Sequence, residues 1–243
     1  MNAYGITDNG RTRDHNEDSF LCNATPVGQL PNLLAVADGM GGHKSGEVAS
    51  AKALEFFCDF VSSREAKRGL LDFIVEAALY ANESVYKMSQ SDFAMTGMGT
   101  TFSACVLADQ KIYIAHVGDS RVYYFTGDHA RRLTEDHSYV QSLVKAGLIT
   151  QDDAQTHPKK NLLTRVLGVE PYENIDALVF EPDAPGILLL CSDGLTNMVP
   201  DNELARIAQS DFSIEQKAEL MVQEANNNGG QDNITVILAE LGR

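Results

Sequence analysis

The sequence predicts an α+β fold built in layers, on three observations. Short apolar runs bounded by Gly, Asp and Asn read as strands. Several of these runs follow one another through links too short for a parallel crossover, such as Ala108-Asp109-Gln110 and Gly118-Asp119-Ser120. The helical patterns cluster between such blocks, and a strict strand–helix–strand alternation is absent, which favours a layered sandwich of antiparallel sheets over a parallel α/β fold.

Each element has its own signal. Residues 1–6 suit an edge strand, and residues 20–22 and 33–37 suit two more. Residues 45–61 form an Ala-rich amphipathic helix. In the next helix Leu70, Ile74, Ala78, Ala81, Val85 and Met88 recur at helical spacing, a stripe that reads as core filler and not as a cofactor site. Residues 100–107, 111–117 and 121–125 read as an antiparallel meander. From 137 to 168 the pattern turns irregular. Val140, Leu143, Val144 and Leu148 suit a short helix, the Thr150-Gln151-Asp152-Asp153 segment caps another, and His157-Pro158 ends it. Residues 175–180 and 187–191 are strands. Residues 203–208 and 213–226 are helices, the second opened by a capping box of Ser213 and Gln216. Residues 234–240 close the sheet. With no repeat, linker or compositional break, residues 1–243 read as one domain.

Composition narrows the function classes. At 243 residues and 44% hydrophobic, the chain can bury a sizeable core without staples. Its four cysteines form no CxxC pair, and Cys105 and Cys191 lie inside apolar runs where a reduced, buried thiol is expected. Residues 1–11 lack a basic region followed by an apolar stretch, and no apolar run approaches the ~18 residues that span a bilayer. A cytoplasmic address is expected. The net charge of −15, with no Lys/Arg cluster to offset it, argues against nucleic-acid binding.

Four aspartates sit at the ends of apolar runs. Asp38 follows residues 33–37 and opens Asp38-Gly39-Met40-Gly41-Gly42; Asp119 follows residues 112–117; Asp193 follows residues 187–192; Asp232 precedes residues 234–238. Strands that deliver carboxylates to one rim can build an oxygen-rich cage for Mg²⁺ or Mn²⁺. Any single Asp-Gly is equally a hairpin-turn signal, so the weight lies on the ordered set.

The segments Arg13-x-x-x-Glu17-Asp18, Val36-Ala37-Asp38-Gly39-Met40-Gly41-Gly42-His43, Gly99-Thr100-Thr101, Gly118-Asp119-Ser120-Arg121, Asp136-His137-Ser138, Ser192-Asp193-Gly194 and Asp232-Asn233 occur in that order. In this order they resemble the metal-dependent protein phosphatase (PPM) family, the type-2C protein serine/threonine phosphatases, most closely the bacterial members. The resemblance runs from Arg13 to Thr235. It implies a four-layer αββα sandwich, two antiparallel sheets flanked by helices. It implies two or three Mn²⁺ or Mg²⁺ ions. Asp38 would bridge two of them with the Gly39 carbonyl as a further ligand, Asp193 and Asp232 would hold one directly, and Asp18 would act through water. Asp119 with Asp193 would hold a third, and Arg13 would clamp the substrate phosphate. Two cations about 3.5–4 Å apart can share a hydroxide for in-line attack on phosphorus, so no protein nucleophile is needed. An arginine fork matches phosphate oxygens with paired hydrogen bonds; taken alone, Arg13 is equally a surface cation.

One position departs from the eukaryotic pattern. There a histidine follows Asp-Gly and is thought to protonate the leaving alkoxide; here it is Met40, which donates no proton. His43 is the candidate substitute, with a metal-bound water as the alternative. His15, His116 and His137 are ordinary polar or packing residues by default. Residues 137–168 correspond to the flap of bacterial relatives, where His157, Lys159, Lys160 and Arg165 are placed to meet a phosphopeptide, against the plainer reading of Lys159 and Lys160 as solvated charges.

The resemblance implies phosphorylated proteins as substrates, a cognate bacterial serine/threonine kinase as functional counterpart, a role in signalling and a monomeric enzyme. Two other readings are open to the residues: a two-metal hydrolase of nucleic acids or nucleotides, which the acidic charge opposes, and a catalytically dead binding fold, which the retention of Arg13, Asp38, Asp193 and Asp232 opposes.

Overall fold

The computed structural model describes residues 1–42, 45–127, 129–171 and 174–242. Its strands are β1 (Asn2–Asp8), β2 (Asp18–Asn23), β3 (Leu33–Met40), β4 (Gly99–Thr100), β5 (Phe102–Ala108), β6 (Lys111–Val117), β7 (Arg121–Thr126), β8 (His129–Arg132), β9 (Asp176–Phe180), β10 (Gly186–Cys191) and β11 (Ile234–Leu241). The helices are α1 (Ser45–Ser63), α2 (Leu70–Ser91), α3 (Tyr139–Lys145), α4 (Gln151–Thr156), α5 (Asp193–Thr196), α6 (Asp201–Ala208) and α7 (Ile214–Asn227).

All strand pairs are antiparallel. One sheet runs β1-β11-β10-β7-β8, and the other β2-β3-β5-β6-β9 with β4 paired to β3. The strands read as continuous apolar runs because both faces of each sheet are covered, and period-two alternation then sorts the side chains. Leu33, Ala35 and Ala37 of β3 join Phe57 of α1 and Ile74 of α2, while Leu34 and Val36 join the layer between the sheets. In β11, Val236 and Leu238 pack with Leu204 of α6 and Met221 of α7, while Ile237 and Ala239 turn to the inter-sheet layer. Three stacked cores make the four-layer αββα sandwich. Cys105 and Cys191 are both buried free thiols.

Three expectations are corrected. β7 does not continue the meander: it pairs with β10 in the opposite sheet, so the chain changes sheets at Gly118-Asp119-Ser120. Gly118 makes the crossing at φ +107°, where a Cβ would also strike Thr101 at 2.6 Å. β11 does not close its sheet but lies inside it, between β1 and β10. The expected strand over residues 100–107 is interrupted at Thr101, and that break serves the site below. β8 and α5 had no clear sequence signal, and Leu148 lies beyond the end of α3, exposed. Both capping boxes form, Thr150 with Asp153 at α4 and Ser213 with Gln216 at α7.

Candidate active site

Strand ends from both sheets meet at one rim, and backbone clasps fix each carboxylate there. Asp18 and Asp38 are directly opposed across β2 and β3. The Asp38 N–H donates to Thr101 Oγ1 at 2.9 Å, and the Asp38 carbonyl accepts from the Thr101 N–H and from Thr100 Oγ1, each at 2.9 Å. Thr101 can supply that hydroxyl because the strand breaks at it. The same oxygen meets Ser120 Oγ at 2.6 Å, which ties the Asp119 turn to Asp38. The Gly39 N–H donates to the Glu17 carbonyl, and a Cβ at Gly39 would lie 2.1 Å from the Gly46 carbonyl oxygen of α1.

The second sheet reaches across to Asp18. Ser192 Oγ and Thr235 Oγ1, at the ends of β10 and β11, donate to Asp18 Oδ2 at 2.7 and 2.6 Å. Asp193 opens α5 and takes Asn197 Nδ2 at 2.9 Å. Asp232 accepts the Asn233 N–H on one oxygen and the Arg13 guanidinium on the other, at 2.9 and 2.8 Å.

The resulting cleft encloses about 480 Å³ and is lined by Arg13, Glu17, Asp38, Gly39, Asp119, Asp193 and Asp232 on one side and by residues 161–166, Val169 and Glu170 on the other. Burial and mutual repulsion push its carboxyls up. Loss of water raises Asp18 to about 7 and Asp193 to about 6, and holds Asp38 and Asp119 well above the carboxylate range; neighbouring aspartates add to every one of these shifts. Glu17 is raised by the same desolvation.

These residues fit a hard divalent cation. The donors are all oxygens, and buried Asp18 Oδ1 has no hydrogen-bond partner although Asp193 and Asp232 crowd it with negative charge. Among the described residues no three His, Cys, Asp or Glu side chains draw into one compact ligand group. The carboxylates are spread along the cleft, which suits ions that keep several waters, as Mg²⁺ does.

The remaining sequence candidates divide. Arg13 and Arg165 line the cleft; Arg165 donates to Asp176 at 2.9 Å. His157 does not line it. Its Nδ1 accepts the Lys159 N–H and its ring lies against Tyr139, contacts within its own segment. Lys159 also sits over the Tyr139 ring, and Lys160 lines a neighbouring cavity that shares Asp119 and Asp193. His43 lies outside the described residues. Met40 stands at the rim, 38% exposed.

His116 and His137 are buried behind the site, their rings tilted at 35° with centroids 4.9 Å apart. The Gly118 N–H donates to His137 Nδ1, and Nε2 lies between Arg165 Nη1 at 2.8 Å and Asp176 Oδ2 at 3.1 Å. His116 bonds Ser103 and the Glu135 carbonyl, and burial lowers it to about 4, so it stays neutral.

Sequence reasoning gave no role to Glu17, Thr101 or Asn233, although each lies within a quoted segment. Asn233 Nδ2 donates to the carbonyls of Asn9 and His15, and its Oδ1 accepts the Glu17 N–H. The loop that carries Arg13 is thereby tied to the bend before β11 that carries Asp232.

The protein phosphatase 2C family profile matches residues 9–238. The chain is 41% identical to the serine/threonine phosphatase stp of Listeria monocytogenes serotype 4b (strain F2365), over 99% of this chain and 96% of that one. Its fold is similar to the crystal structure of the serine/threonine phosphatase Stp1 from Staphylococcus aureus, with a TM-score of 0.92 and 34% identity over 99% of this chain and 95% of that one. It is also similar to the catalytic domain of the serine/threonine protein phosphatase PstP in complex with two manganese ions, with a TM-score of 0.87 and 30% identity over 100% and 98% of the two chains.

Proposed function

The chain belongs to the protein phosphatase 2C family, and we propose that its aspartate-lined cleft, with Asp18 buried beside it, is the catalytic centre. It is a metal-dependent protein serine/threonine phosphatase. The observation that carries the site assignment is the meeting of Asp18, Asp38, Asp119, Asp193 and Asp232 at one rim, the first four of them desolvated and one buried Asp18 oxygen unpartnered.

Asp38, the Gly39 carbonyl, Asp193 and Asp232 would hold two ions, Asp119 with Asp193 a third, and Asp18 would act through water. Mn²⁺ or Mg²⁺ bound there supplies positive charge for the phosphate oxygens and acidifies water toward neutrality. The chain's own residues do the rest. Thr100 and Thr101 clasp the Asp38 backbone and so fix the point from which its carboxylate enters the cleft. Arg13, half-exposed at the cleft mouth, turns its guanidinium from Asp232 to the incoming phosphate. Arg165 borders the path of the phosphoprotein. The proton for the leaving serine or threonine oxygen is assigned to His43 by sequence position. Residues 1–243 are read as one catalytic domain with residues 137–168 as its flap. A cognate kinase, a monomeric state and a cytoplasmic address complete the reading; no described helix is long and apolar enough to cross a membrane.

Hydrolysis of a phosphothreonine peptide with Mn²⁺, with Mg²⁺ and with EDTA tests the assignment. Asp38→Asn is expected to lower turnover at least ~10³-fold, since several kcal/mol of charge stabilisation go with the ions it holds. Wild-type-like turnover by folded Asp38→Asn protein refutes the bridging role.

A further inference from the structure

We infer that this phosphatase selects substrates carrying an apolar residue next to the phosphorylated one, and that Met40, Leu162 and Val169 form the surface that reads it. The inference rests on the site assignment above. On a chain of net charge −15, three of the large apolar side chains left exposed gather around this one cleft: Met40 at 38%, Leu162 at 51% and Val169 at 38%.

The three side chains share one cleft, and the backbone beneath each is held: the Leu162 carbonyl accepts the Tyr139 N–H at 2.8 Å. Met40 pairs with Gly99 across β3 and β4. A Cβ at Gly99 would lie 2.8 Å from Val169 Cγ2 and 3.3 Å from Val166 Cγ2, so the absence of a side chain there lets the valines close over the strand behind Met40. The backbone holds the segment in place. Thr100 and Leu167 exchange two hydrogen bonds, at 3.0 and 2.9 Å. The buried Asn82 accepts the Gly168 N–H and donates to the Glu170 carbonyl. An apolar surface held this firmly loses little entropy when it is covered.

Chain geometry brings the substrate's neighbouring residue to this surface. Successive Cα atoms are about 3.8 Å apart, so a phosphorylated side chain reaching the aspartates leaves the adjacent side chain at the cleft wall. Charge selects in the same direction. Glu170 and Glu17 line the same cleft and oppose an acidic neighbour; of the two arginines there, Arg165 is held by Asp176 and Arg13 is assigned to the phosphate, while an aliphatic neighbour covers rim surface now open to water. Met40 thus has a use that a proton donor at its position would not have.

The test compares matched phosphothreonine peptides that carry Leu, Gln or Asp beside the phosphorylated residue, on either side, with Mn²⁺ supplied. p-Nitrophenyl phosphate, which has no neighbouring residue, reports on the catalytic centre alone. On one side or the other, the Leu peptide is expected to exceed the Asp peptide about 10-fold in kcat/KM, chiefly through KM, the lower end of what one apolar group contributes in a pocket. In Leu162→Ser and Val169→Ser the ratio of the two kcat/KM values is expected to fall toward one. Equal kcat/KM for the three peptides, or an undiminished ratio in both variants, overturns the inference while turnover of p-nitrophenyl phosphate upholds the site. No turnover of any substrate by folded, metal-supplied protein overturns both.

Discussion

Asn233 shows how one uncharged side chain can organise a charged site. Three hydrogen bonds run from it to Asn9, His15 and Glu17, and it is only 4% exposed. Water does not replace partners at such a position, so truncation leaves two carbonyls and an amide unsatisfied at roughly 1–3 kcal/mol each. The Arg13–Asp232 pair beside it is about half-exposed on the arginine side and adds little by comparison. Asn233→Ala is therefore expected to destabilise the protein by about 2–4 kcal/mol in urea unfolding and to raise KM as the Arg13 loop loosens. Replacing Arg13 by Ala should leave stability within about 0.5 kcal/mol and act on KM alone. If the two variants are equally stable, the loop is held by something other than Asn233.

At the level of elements, β3 and α1 meet too closely for any side chain but hydrogen. A Cβ on Gly39 would approach the Gly46 carbonyl oxygen to 2.1 Å and the Glu17 carbonyl oxygen to 2.6 Å, both backbone atoms with no freedom to rotate away. Gly39→Ala is expected to cost about 1–3 kcal/mol as the first turn of α1 shifts, and to weaken metal binding through the same displacement; calorimetric titration with Mn²⁺ measures the second effect. The strand runs and helix stripes were legible because burial on both sheet faces leaves unbroken apolar sequence, and the aspartates were legible because each ends such a run. Sheet membership was not. The three-residue link before Arg121 has the length of a hairpin, but β7 finds its partner in β10, more than sixty residues on. The roles of Thr101 and Asn233 depend on contacts 63 and over 200 residues away, which local spacing does not encode. The place of His157 away from the cleft lining was illegible for the opposite reason: the turn it belongs to bonds its ring locally.

For the molecule as a whole, the cleft makes stability depend on metal and pH together. Asp18, Asp38, Asp119 and Asp193 all carry folded-state pKa values above the usual 3.8, Asp18 at about 7 and Asp193 at about 6. For a raised carboxyl the sign is fixed: without metal, folding is least penalised below pH ~4, and stability is lost as pH rises through the folded pKa values. His116 works the other way. Lowered from 6.5 to about 4, it contributes stability above pH 6.5 that fades as pH falls. Between pH 5.5 and 8 the histidine's change is about one pKa unit, or ~1.4 kcal/mol, and it is opposed by four carboxyls, so the carboxyls prevail. Metal-stripped protein is therefore expected to melt at a higher temperature at pH 5.5 than at pH 8. Bound cations reverse the order, because they need the ionised carboxylates that high pH supplies and add about 2.7 kcal/mol at a hundredfold excess over Kd. Thermal melts at the two pH values, with EDTA and with Mn²⁺, measure both trends. A metal-stripped protein that is more stable at pH 8 would show that these carboxyls ionise freely, and the desolvated cage would then be the wrong description of the cleft.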